Sequence, residues 1–327
     1  MKKLVLCLLI ALSSIFFFSA NFYASSKEAL SENIARLASS VELVQVDLSN
    51  RKIIVGQNPY LKNTKEPTVY KFRNLDKGFL ILVNRSHPAG KDFYNPNMIN
   101  IAKKLPSTKS ELMLDREAAE ALAELFDAAK SDGIKNLTVV SGYRSYSYQE
   151  GLFKRKVDFY KNQGKSSEEA KALAATVVAI PGTSEHQTGL AIDLASRANL
   201  GLEQGFENTP EGRWMRENAH KFGYILRYGK DKQSITKIIY EPWHFRYVGK
   251  PHSEIIYKND FCLEEYIDYL KASKKIEYTS EDNKKFFIYY IEGAGNVDEI
   301  EVWAYTGQVV GLSSDNSGGL ILTLKLD

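Results

Sequence analysis

Cysteine is scarce in this chain of 327 residues, which holds only Cys7 and Cys262. Cys7 lies in an apolar N-terminal stretch with too little apolar sequence ahead of it for a lipid-attachment site. Once that stretch is set aside Cys262 has no partner, so an intramolecular disulfide is excluded. Flanked by Phe261 and Leu263, Cys262 reads as a packed apolar residue rather than a reactive thiol. An excess of charge is missing as well. The formal net charge is +3, and without Lys2 and Lys3 the balance is 41 basic against 40 acidic residues. No basic run occurs elsewhere, which excludes the electrostatic footprint of a nucleic-acid binder. Internal repeats and low-complexity tracts are absent too, so array architectures drop out. Histidine is rare, at five in the whole chain, and two of the five turn out to have unusual neighbours.

What is present bounds the architecture. A hydrophobic content of 44% suffices for one sizeable core and a second small one. Residues 1–24 read as an export signal: Lys2 and Lys3, an apolar stretch, then small residues at Ser19, Ala20 and Ala24. A clean A-x-A cleavage site is lacking, and residues 4–24 are just long enough to span a bilayer, so an uncleaved anchor is the alternative. Either reading puts the remainder outside the cytoplasm. The expected organisation is a signal or anchor over 1–24, a linker and short β-hairpin over 25–70, a main domain over 71–272 and a small β-rich module over 273–327.

Within the main domain both periods appear. Ala118, Leu122, Leu125, Phe126 and Ala129 follow helical spacing, with Asp115 as cap and Gly133 as stop. Residues 137–140 form a short strand running into Ser141-Gly142-Tyr143-Arg144, which puts Arg144 at a strand end; a helix carrying Gln149 follows. Ser166 and Glu169 make a capping box, and Thr209 with Pro210 opens another helix that stops at Gly223. Strands are expected at 224–227, 235–240 and 244–248. Strand runs without regular βαβ alternation predict an α+β fold, an antiparallel sheet core flanked by helices. Residues 286–291, 300–305 and 320–326 predict the C-terminal β appendage, read as a packing or spacer module.

Two segments carry the chemistry: Ser184-Glu185-His186-Gln187-Thr188-Gly189-Leu190-Ala191-Ile192-Asp193 and Glu241-Pro242-Trp243-His244. Together they offer two imidazoles, one carboxylate and a spare carboxylate three residues before the second imidazole. A hydrolytic zinc site needs those parts, with a fourth position left for water. His186 and Asp193 are seven apart, so on one extended strand they would face opposite ways. They share a metal only if the chain turns between them, and Gly189 offers the place. Asp193 then lies on a strand over 190–194 and His244 arrives from a neighbouring strand. The rival reading is the two-His, one-carboxylate triad of non-haem iron oxygenases. There a single residue usually separates the first His from the carboxylate, whereas six intervene here. His87 in a loop, His220 in a helix and His252 in a polar turn lack partners at ligand spacing and read as solvated or packing residues.

Three motifs occur in order: Ser141-Gly142-Tyr143-Arg144-Ser145 with Gln149, Leu152 and Phe153, then S-x-H-x-x-G-x-A-x-D, then E-x-x-W-H. Over roughly residues 75–270 the chain resembles the VanY-like D-alanyl-D-alanine carboxypeptidases, zinc peptidases of the lysostaphin/D-Ala-D-Ala/sonic hedgehog group. The resemblance implies one zinc ion held by His186, Asp193 and His244, Glu241 as general base, and release of the C-terminal D-alanine from peptidoglycan stem peptides. With the N-terminal segment, the expected location is extracytoplasmic (secreted, cell-wall associated or membrane-anchored), with no obligate protein partner in view and membrane contact only through an uncleaved anchor. Arg144 has a planar fork suited to a substrate carboxylate or to an oxyanion, and both uses stay open. Gln149 and Ser184 are candidates for hydrogen bonds to the peptide or for structural roles. The alternatives are an L,D-carboxypeptidase or endopeptidase of the same fold, or a non-catalytic zinc-stabilised binding protein. A base at Glu241 beside a complete ligand set weighs against the last.

Overall fold

The computed structural model describes residues 44–56, 66–73, 78–294 and 299–326; the expected export segment and linker lie outside them. Two compact units form, one of Met1–Tyr70 with Val302–Thr306, the other of Lys71–Glu301 with Gly307–Asp327. In the first, β1 (Val44–Asp47) and β2 (Lys52–Val55) make an antiparallel hairpin with Val44 opposite Val55. Asp47 closes its turn by accepting from Ser49 Oγ at 2.6 Å and from the Asn50 amide nitrogen at 3.1 Å. Strands β3 (Thr68–Arg73) and β12 (Glu299–Ala304) carry residues of both units.

The second unit opens with a two-stranded ribbon, β4 (Met98–Asn100) and β5 (Met113–Asp115), leading into α1 (Arg116–Ser131). The Asp115 carboxylate caps α1, accepting from the Glu117 and Ala118 N–H groups at 2.9 and 3.4 Å. Its buried stripe includes Ala118, Leu122, Leu125, Phe126 and Ala129, as the spacing predicts. A main sheet of β6 (Leu137–Ser141), β7 (Ala191–Ser196), β8 (Tyr224–Leu226) and β9 (His244–Tyr247) runs antiparallel throughout in the order β6-β7-β9-β8. Between these strands the chain forms α2 (Tyr146–Asn162), α3 (Ser167–Val177), α4 (Pro210–Asn218) and the short α5 (Gln233–Thr236). The capping box at Ser166 and Glu169 is present, with bonds of 3.2 and 3.0 Å.

One expected strand is not there. Residues 235–240 begin inside α5, and Lys237 then takes a left-handed φ of 61°, which no extended strand tolerates. The Ile239 N–H instead donates to the Thr176 carbonyl at 2.9 Å. Ile238 is buried there and Ile239 half-buried.

Beyond the sheet come α6 (His252–Lys258) and α7 (Leu263–Ser273), then β10 (Lys275–Thr279), β11 (Lys285–Glu292), β13 (Gln308–Ser314) and β14 (Gly319–Lys325), ordered β10-β11-β14-β13. Ile288 and Ile321 of this second sheet share a core with Ile255, Ile267 and Leu270 of the two helices. His252 does not sit in a polar turn: it is buried, with Nδ1 2.7 Å from Tyr266 Oη and Nε2 2.9 Å from Thr323 Oγ1. His220 is buried too and stacks on Tyr257 with ring centroids 3.7 Å apart. The fold is α+β with antiparallel sheets and a β-rich C-terminal region. Among the described residues no helix is long and apolar enough to cross a membrane.

Candidate metal centre and active site

Strand alternation builds the site. Ile192 and Leu194 of β7 and Phe245 of β9 enter the main core beside Leu122 and Leu125 of α1, each buried aliphatic side chain contributing ~1.5–3 kcal/mol. Asp193 and His244 consequently occupy the opposite face. They are direct cross-strand partners, so their side chains stand side by side. His186 is delivered by a single turn of 3₁₀ helix, Glu185–Thr188, that Gly189 ends at φ 76°. A Cβ at Gly189 would also meet the Asp115 backbone nitrogen at 3.2 Å. The turn there brings His186 back over Asp193.

Three donor atoms converge. His186 Nε2 is 3.3 Å from Asp193 Oδ2, and His244 Nδ1 is 3.1 Å from Asp193 Oδ1. Ligand atoms of the three residues all lie within 4.8 Å of one another. A tetrahedral ion with bonds of ~2.0–2.2 Å sets its ligands about 3.4 Å apart, so the spacing fits. The proton inventory fits as well. His186 Nδ1 donates to the Gly142 carbonyl at 2.6 Å, which leaves Nε2 bare, and Nε2 has no hydrogen-bond partner. Burial and the neighbouring Arg144 push His186 down to about 4, so no proton bridges its lone pair to the carboxylate. Two electron-rich atoms face each other there, an arrangement that a cation resolves. Burial works against charge on His244, yet the carboxylates of Asp193, Glu185 and Glu241 raise it to about 9. Burial likewise opposes charge on Asp193, but His186 and Arg144 hold it well below the usual carboxylate range.

Glu241 reaches the same point, its Oε2 3.7 Å from His244 Nδ1. Burial raises its carboxyl to about 8, with His244 opposing; a bound dication would pull it back down. Its backbone is fixed at both ends, the N–H donating to Tyr228 and the carbonyl accepting from His244, each at 3.1 Å. Arg144 is braced on three sides: Nη2 to Asp193 Oδ2 at 2.7 Å, Nε to Ser141 Oγ at 3.1 Å and Nη1 to Gln149 Oε1 at 3.3 Å. A bulge in β6 between Val139 and Ser141 re-aims Ser141 toward it. Gln149 is buried and spends its NH₂ on the Ala179 carbonyl at 2.8 Å, so it braces the arginine from within the protein. Ser184, Trp243 and Tyr228 line the adjoining cavity of about 500 Å³, whose apolar wall includes Leu152, Val178 and Ile238. Trp243 also belongs to the main core, packing beneath the site.

Reading the motifs missed the charged groups behind this cluster. Glu185 lies under His244, paired with Arg227 and Arg246, both fully buried. The signal was available: each arginine interrupts an apolar strand run, Tyr224-Ile225-Leu226-Arg227 and Phe245-Arg246-Tyr247-Val248, and a charge in such a place needs a partner.

The model of the VanY family, D-alanyl-D-alanine carboxypeptidase, matches residues 111–250. A D-alanyl-D-alanine carboxypeptidase of Enterococcus faecium is 32% identical over 269 residues, 80% of this chain and 80% of its own. The chain belongs to the VanY family of D-alanyl-D-alanine carboxypeptidases. Among solved structures, the vancomycin-resistance D,D-dipeptidase VanXYg, in complex with a D-Ala-D-Ala phosphinate analog, matches with a TM-score of 0.66 at 28% identity, covering 80% of this chain and 100% of that one. The LdcB LD-carboxypeptidase matches with a TM-score of 0.53 at 40% identity, covering 59% of this chain and 86% of that one. This VanY-family chain is a zinc metallocarboxypeptidase, and its two imidazoles and one carboxylate fit a single zinc ion.

Proposed function

We propose that this enzyme is exported and removes the C-terminal D-alanine from peptidoglycan stem peptides, with His186, Asp193 and His244 holding zinc. One observation carries the reading: three donor atoms within 4.8 Å of one another, open to a cavity of about 500 Å³ with Glu241 beside them. When bound, zinc supplies the Lewis acidity of the reaction. Glu241 takes a proton from the attacking water and passes it to the departing amine as the C–N bond breaks. Arg144 is held at the cavity by Ser141 and Gln149, where its fork meets the substrate's terminal carboxylate or the developing oxyanion. The apolar wall keeps bulk water off, which strengthens each of these charged contacts.

The Enterococcus faecium relative's name supports D,D specificity, while the LdcB likeness keeps an L,D reading in play. Synthetic stem peptides separate them. A pentapeptide ending in D-Ala-D-Ala should yield tetrapeptide plus alanine by mass, and amidating its C-terminus should abolish cleavage. Trimming of the tetrapeptide instead would make the enzyme an L,D-carboxypeptidase. Unimpaired cleavage of the amidated peptide would make it an endopeptidase.

A further inference from the structure

The face of the sheet that bears the site also holds charges for which hydrolysis has no use. Glu185 is 1% exposed, and its Oε1 accepts from Arg227 Nε and Arg246 Nη1, both at 2.8 Å. The two arginines are satisfied elsewhere as well. Arg227 grips Glu264 with two bonds of 2.7 Å, and Arg246 donates to the carbonyls of Phe79, Ile81 and Tyr247 at 2.9, 2.8 and 3.0 Å. The second oxygen of Glu185 has no hydrogen-bond partner. It lies 3.7 Å from His244 Nε2, which has none either. Burying this many charges is costly, and a purely structural pair would spend both carboxylate oxygens on the arginines. Here one oxygen is kept for an imidazole.

We infer that Glu185 is a positioning residue for His244: it holds the proton on Nε2, so that Nδ1, beside Asp193, is the nitrogen that gives up its proton to a metal ion. The inference rests on the proposed reading in which His244 is a ligand. A neutral imidazole carries one N–H, and the acceptor on one nitrogen decides which atom is free for a metal. The Gly142 carbonyl does the same for His186 from the other edge, taking Nδ1–H and freeing Nε2. The two rings are thus oriented oppositely, one by a neutral carbonyl and one by a carboxylate. Arg227 and Arg246 keep Glu185 in place and charged.

A glutamine at this position poses a conflict. Its amide has one acceptor oxygen, which the two guanidinium groups claim, so its NH₂ faces His244 Nε2 and drives the proton to Nδ1. Glu185→Gln should therefore fold normally by circular dichroism yet bind zinc ~10–100-fold more weakly in chelator competition. The ¹⁵N spectrum of the zinc-loaded wild type, with labelled histidine, should show a proton on His244 Nε2 and none on Nδ1. A folded Glu185→Gln with zinc affinity within about threefold of wild type would overturn the inference, and so would a wild-type spectrum with Nε2 unprotonated. The spectrum decides the matter even if the variant does not fold. Parallel measurement of His244→Ala separates the two levels. Retained zinc there contradicts the ligand reading itself, whereas loss there with retention in Glu185→Gln contradicts only the positioning role.

Discussion

Replacing Glu241 by glutamine changes one proton-accepting group and almost nothing else. The side chain keeps its shape, and its backbone anchors to Tyr228 and His244 are untouched. Among the described residues, no other carboxylate in the cavity wall is free to take over. Asp193 is committed to both imidazoles and Arg144, and Glu203 is exposed to solvent. General acid–base catalysis contributes ~10²–10⁴-fold, so turnover should fall by at least ~10², equivalent to about 2.7 kcal/mol or more of barrier. KM should move little, because Glu241 handles a proton and not the peptide. Stability should hold or rise slightly, since an amide is cheaper to bury than a carboxylate. Alanine release from a D-Ala-D-Ala peptide gives the rate, and metal analysis of the same sample gives the zinc content. Zinc lost along with activity would mean Glu241 is a ligand; a rate within about threefold of wild type would mean another group is the base.

Other substitutions separate binding, orientation and stability. His186→Ala and His244→Ala should each lose or greatly weaken zinc binding by metal analysis, and full retention in both would remove them from the ligand set. Arg144→Lys replaces a fork that touches Asp193, Ser141 and Gln149 with a point charge, and kcat/KM should drop by ~2–4 kcal/mol; a change below about threefold would make Arg144 peripheral. His252 tests the junction of α6, α7 and β14 through pH. Burial pushes it down to about 3, so on acidification the unfolded chain binds the proton first and stability falls with pH below the unfolded value of 6.5. Between pH 7 and 5 this costs about 2 kcal/mol, and His252→Gln should flatten the pH dependence of denaturant unfolding by that amount. An unchanged slope would contradict a neutral, buried His252.

The candidate ligands were legible through their motifs, which resemble the VanY pattern, and their spacing agrees with a shared site. His186 and Asp193, seven residues apart, need a turn, and Gly189 supplies it at φ 76°. His244 then falls opposite Asp193 across one strand pair. The helix over α1 was equally open to reading, since cap, apolar stripe and stop agree. What sequence could not convey is long-range pairing. Arg144 meets Asp193 across 49 positions, and Glu185 meets Arg227 and Arg246 across 42 and 61. No local periodicity encodes such contacts, so the sequence left Gln149 open between a peptide contact and a structural role, and its amide lies between Arg144 and Ala179. Residues 235–240 misled for a different reason. Their β-branched composition suits a strand, and the left-handed Lys237 that breaks it follows from the Ile239 bond to Thr176, a contact outside the segment.

One zinc ion, held in the proposed reading by His186, Asp193 and His244, makes this VanY-family chain a carboxypeptidase. The decisive measurement strips the protein with a chelator and titrates zinc back while following alanine release from a D-Ala-D-Ala pentapeptide. Release should vanish on stripping and return linearly to a plateau at about one zinc per chain. Activity that survives chelation, or a plateau far from one equivalent, would contradict the account.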